Sequence, residues 1–145
     1  MQITINLLVT TIFCFATLTS AESTLKHGED LYKINCSACH GVNGGMDMEK
    51  RIAPPIIAVR MHYLHSYSDE MSFVDAIVSW VEQPNQDNTL MAGAVRRFGL
   101  MPKIAISKSD IEAIAEYVYR GKVGKPKGFD QHYKEMHGKK GKGKG

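Results

Sequence analysis

The sequence predicts a small helical domain on two observations. Three segments carry apolar residues at helical spacing, and the stretches that join them are loop-like, without periodicity. With 145 residues, 43% of them hydrophobic and 23% charged, the chain can build one modest core. A multidomain enzyme is excluded on size.

Residues 1–21 are expected to be a secretory signal and to take no part in the fold. Positions 4–18 form an uncharged, mostly apolar run, and Thr19, Ser20 and Ala21 supply small residues ahead of Glu22. The run is short for a membrane span, and MQITIN brings no Lys or Arg, so an uncleaved anchor is the alternative. Cys14 leaves with the signal, and the mature chain then holds two cysteines outside the cytoplasm, periplasmic or otherwise exported.

The first helix is expected over 25–38, with Ser23 or Thr24 as N-cap and Gly41 to end it. Gly28 in its middle is unfavourable by about 1 kcal/mol relative to Ala and needs a reason. A second helix runs from about Asp69 to Glu82, with Ser68 as N-cap and a stripe of Phe73, Val74, Ile77, Val78 and Val81; Pro84 lies beyond its end. Trp80 lies beside that stripe and reads as core, with contact to a cofactor as the alternative. In the third helix Ser109, Asp110, Ile111 and Glu112 form an S-x-x-E capping box, and Ile111, Ile114, Ala115 and Val118 repeat at helical spacing.

Cys36, Ser37, Ala38, Cys39 and His40 spell C-x-x-C-H, the haem c attachment pattern. One helical turn puts two thiols on the same side, within reach of the two vinyl groups of a porphyrin edge, and the next residue points at the iron. His40 can then supply the proximal imidazole. Composition alone would produce the pattern about 0.003 times in such a chain. A dithiol site would not need His40, and a zinc site from Cys36, Cys39, His62 and His65 has the wrong spacing.

With these residues the sequence resembles a class I monohaem cytochrome c over roughly residues 25–120. The resemblance implies an all-α fold wrapped around one covalently attached haem c, a domain spanning residues 22–120, and single-electron transfer without catalysis. It makes Cys36 and Cys39 the covalent attachment points, His40 the proximal iron ligand and Met101, in Phe98-Gly99-Leu100-Met101-Pro102, the distal one. Pro54 or Pro55 would offer a carbonyl to the proximal imidazole. Gly28 and Tyr32 would meet Ile114 and Tyr117 where the first and last helices cross. Met91 is the rival distal ligand, and His62 or His65 would give a bis-His iron. A haem enzyme or gas sensor with a vacant distal site is the other functional class.

Charge divides the chain. Residues 121–145 hold eight Lys against Asp130 and Glu135, a local +6 within a total of +3, which leaves −3 for residues 1–120. Nucleic-acid binding is not indicated, because the positive charge is confined to the terminal segment. That segment, ending KKGKGKG, is expected to be a disordered basic tail, and redox partner proteins such as oxidoreductase or oxidase complexes are the expected partners. The tail would steer docking onto an acidic partner or an anionic membrane; metal binding by His132, Met136 and His137, or simple solubility, are its other readings.

Overall fold

A computed structural model of the chain describes residues 22–43, 47 and 49–137. The expected signal segment and the last residues of the tail lie outside the described residues. The described residues are all-helical, with no strand among them: α1 (residues 22–35), α2 (Ser37–His40), α3 (Ile56–Ser66), α4 (Glu70–Glu82), α5 (Ala92–Phe98), α6 (Lys108–Arg120) and α7 (Phe129–His137), with a 3-10 turn at Gln86–Asn88.

The core forms where α4 lies against α6. Its apolar stripe delivers Phe73, Ile77 and Val78, and α6 delivers Ile111, Ile114, Ala115, Tyr117 and Val118, so the two periodic segments bury each other's faces. Phe73 is fully buried and meets Tyr119 and Tyr63 edge-on, with centroids 5.2 and 6.0 Å apart.

α1 crosses α6 at Gly28. A Cβ at that position would lie 2.2 Å from the Ala113 carbonyl oxygen and 3.0 Å from the Tyr117 Cβ, so only glycine lets the two backbones approach this closely. One turn on, Tyr32 packs against Tyr117 with ring centroids 5.7 Å apart. The pairing expected for Gly28, Tyr32 and Tyr117 is the one that forms.

Several boundaries differ from the sequence reading. The first helix is already helical at residue 22, which puts Ser23 and Thr24 inside it rather than at its cap, and it ends at residue 35 instead of 38. Cys36 breaks it and serves as N-cap of α2, while the Ser37 hydroxyl donates to the Lys33 carbonyl at 2.7 Å. In α4 the cap is Asp69, not Ser68: its carboxylate accepts from the Ser72 N–H at 2.9 Å. In α6 the cap is Ser107, which accepts from the Asp110 N–H at 3.1 Å, so the helix starts two residues before the Ser109 box.

α3 and α5 fall in stretches expected to be loops. Arg60 falls in the middle of the apolar arc of α3 (Ile56, Ile57, Val59, Met61, Tyr63, Leu64), which hides its periodicity. Its Arg60 donates to the Tyr119 and Gly121 carbonyls at 2.6 and 3.0 Å and so satisfies acceptors that the end of α6 leaves open. α5 has only seven residues and stops at Gly99, whose φ of 82° turns the chain into the extended segment carrying Met101.

The segment after Gly121, expected to lack structure, carries α7. Pro126 is buried and Phe129 is only 3% exposed, so two apolar residues are enough to seat a stretch whose overall composition is polar.

Candidate functional site

The C-x-x-C-H residues sit where α1 gives way to α2. The Cys36 carbonyl accepts from the N–H groups of Cys39 and His40, at 3.2 and 2.9 Å, which winds the motif into a single turn. Cys36 and Cys39 are both free thiols. Burial, reinforced by the neighbouring Cys39, pushes the Cys36 thiol up to about 11. A reactive dithiol needs a lowered thiol pKa, so this environment does not suit redox exchange.

The ring of His40 is fixed by one bond. Its Nδ1 lies 2.8 Å from the Pro54 carbonyl oxygen, which can only accept; Nδ1 therefore carries the proton and Nε2 keeps its lone pair. Of the two candidate prolines it is Pro54 that accepts. Burial lowers the imidazole's pKa and outweighs the Pro54 bond, with the Arg51 charge adding to the lowering, so the ring is held in the neutral form that binds metals.

Arg51, which the sequence reading did not single out, closes the loop after the motif. Only 7% exposed, it donates to the carbonyls of Gly41, Asn43 and Ala53 at 2.6, 2.9 and 3.2 Å. The Tyr32 hydroxyl adds a bond to the His40 carbonyl at 3.2 Å. Nothing local in the sequence marks this arginine, because its acceptors are backbone groups.

Cys36, Cys39, His40 and Met101 line one cavity of about 310 Å³. Its remaining walls are mostly apolar, among them Val59, Ile77, Val81, Val95, Phe98 and Ile104, and Met91 lines it as well. Trp80 packs against the core and also faces the cavity. His62 and His65 do not line the cavity, so the bis-His alternative loses its geometry. Among the described residues no three His, Cys, Asp or Glu side chains are grouped to hold a metal ion, which removes the zinc arrangement of Cys36, Cys39, His62 and His65.

The donor set fits a covalently held haem. Two thiols and a neutral imidazole lie one turn apart at the edge of an apolar cavity, and thioether sulfurs line that same cavity. A helical shell with such a site defines a c-type haem protein. The sequence model of the family described as Cytochrome c matches residues 25–122. The chain belongs to the cytochrome c family, with covalently bound haem c and a role in electron transfer. Relatives include an uncharacterized protein of Aquifex aeolicus (strain VF5), 27% identical over 131 residues, 79% of this chain and 84% of the relative. Cytochrome c6 of Cyanidioschyzon merolae (strain NIES-3377 / 10D) is 29% identical over 119 residues, 81% of this chain and 92% of the relative. No solved structure matches.

Proposed function

We propose that the protein is an exported single-electron carrier, not an enzyme, and that it holds one haem c between His40 and Met101. The observation that carries this reading is the meeting of Cys36, Cys39, His40 and Met101 at one apolar cavity. When bound, the haem supplies the one-electron valence change of its iron. The thiols of Cys36 and Cys39 hold it at one edge, and His40 presents Nε2 while Pro54 prevents the ring from turning. The apolar walls exclude water and disfavour the more highly charged oxidised state; a thioether ligand at Met101 works in the same direction. Export is supported by the apolar N-terminal run and by the likeness to a cytochrome c6. No helix among the described residues is long and apolar enough to cross a membrane.

Met101 is preferred to Met91 because Gly99 releases α5 into the extended segment that bears Met101, whereas Met91 is tied down as the N-cap of α5 with its N–H on Thr89 Oγ1 at 3.0 Å. The test is spectroscopic. Met101→Ala in the haem-loaded protein should abolish the long-wavelength ferric band that reports thioether ligation, lower the reduction potential and admit carbon monoxide. Met91→Ala should do none of these. A native spectrum in Met101→Ala would overturn the assignment, and rapid carbon monoxide binding by the wild type would favour a sensor or enzyme over a carrier.

A further inference from the structure

The segment after Arg120 runs past the family match, which ends at residue 122, yet it is attached to the domain at several points. The Gly121 carbonyl accepts from Arg60, and the Lys122 carbonyl accepts from the Tyr117 hydroxyl at 3.4 Å. Gly124 lies so close to Val42 that a Cβ there would be 2.7 Å from Val42 Cγ1. Pro126 and Phe129 are buried, and an ion pair of 2.8 Å between Lys125 and Asp130 closes the turn into α7. The segment is therefore rooted on the loop that leaves His40 two residues earlier.

Its exposed charge is net cationic, four Lys against Asp130 and Glu135 within residues 121–137. Lys122, Lys127 and Lys134 are exposed and make no ion pair among the described residues, and Lys139, Lys140, Lys142 and Lys144 follow in the sequence. The root adjoins exposed apolar surface: Val42 is 45% and Ile52 68% exposed, both in the loop that Arg51 ties together, and Ile52 lines the haem cavity. An apolar centre with a charged border has the composition of a protein-protein contact. A lipid surface fits less well, since none of the exposed large hydrophobic side chains lies between residues 121 and 135 to enter a bilayer.

We infer that residues 121–137 form a fixed cationic platform beside the haem-attachment loop, on which a redox protein with an acidic surface docks so that electrons pass at the Ile52 edge. This rests on the carrier reading. The lysines that begin on this platform and continue to the end of the chain give residues 121–145 a net +6, complementary to an acidic partner, while residues 1–120, at −3, repel one, so encounter is oriented as well as accelerated.

The experiment uses the full-length, haem-loaded protein and hexacyanoferrate(III) as an anionic oxidant, with rates measured against ionic strength; the cationic hexaammineruthenium couple serves as control. Wild-type oxidation should slow as salt rises. Replacing Lys122, Lys127 and Lys134 with Gln should slow it about tenfold at 10 mM salt and by less than about twofold at 0.5 M. Pro126→Ala with Phe129→Ala keeps every charge but releases the root, and should lose most of the same advantage. If the unrooted variant matched the wild type, a fixed platform would be wrong. If neutralising Arg96, Arg97 and Lys103 removed the salt dependence instead, docking would belong to the Met101 side, and retention by phosphatidylglycerol vesicles at 0.15 M salt would assign the lysines to a membrane. The variants should keep the wild-type spectrum and potential, so failure here is separable from failure of the carrier assignment, which would show as a wild type lacking a reversible haem couple.

Discussion

Gly28→Ala isolates the helix crossing that closes the domain. On helix propensity alone the substitution should stabilise by about 1 kcal/mol. The new Cβ, however, would stand 2.2 Å from the Ala113 carbonyl oxygen and 3.0 Å from both its carbon and the Tyr117 Cβ. The first two are backbone atoms of α6 and cannot rotate away, so α1 must retreat by roughly 1 Å, and the contact between Tyr32 and Tyr117 opens with it. Overpacking of this kind costs about 1–3 kcal/mol, and the rigidity of the obstacle places it at the upper end; after the propensity gain the net loss should be about 2 kcal/mol. For a domain of this size that is a fall in Tm of roughly 8–16 °C. Thermal unfolding of the oxidised, haem-loaded protein by far-UV circular dichroism reads it directly. Gly93→Ala is the control, because inside α5 its nearest neighbouring atom would be 3.9 Å away and the propensity gain should appear unopposed. A Gly28→Ala protein as stable as the wild type would refute the close-crossing argument.

Three further outcomes follow from the same contacts. Arg51→Gln strips donors from the Gly41, Asn43 and Ala53 carbonyls and should cost about 2–4 kcal/mol in urea unfolding, with the loss shared by the loop that holds His40. Burial raises the Tyr32 phenol to about 12, with the Cys36 and Tyr117 neighbours adding to it, while the unfolded chain titrates near 10; its contribution is complete below pH 10 and is lost as pH rises through 12. Tyr32→Phe should therefore flatten the decline in stability between those values. Phe129→Ala should cost about 3 kcal/mol where α7 is seated and speed tryptic cleavage in residues 122–134 by up to about 100-fold, while leaving the haem spectrum unchanged.

The sequence by itself determined whatever is carried by neighbours along the chain. The C-x-x-C-H turn is legible because all of its geometry lies within five residues, and α4 and α6 are legible because each has one apolar face and one polar face. Even there the caps lie one or two residues from the positions the sequence suggests: Ser68 and Asp69, or Ser107 and Ser109, are equally good acceptors in composition, and backbone torsion decides which one turns toward the helix. Only the tertiary structure could select Pro54 over Pro55, because the choice depends on where a ring fourteen residues away points. The same holds for Arg51, whose partners are carbonyls, for α3, whose apolar arc is interrupted by Arg60, and for Phe129, whose burial depends on the surface that the rest of the domain provides. The physical reason is common to all of these. A helical stripe or a ligand spacing is a property of local covalent order, whereas a hydrogen bond to a distant carbonyl or a seat for a lone aromatic side chain exists only after the chain has folded back on itself.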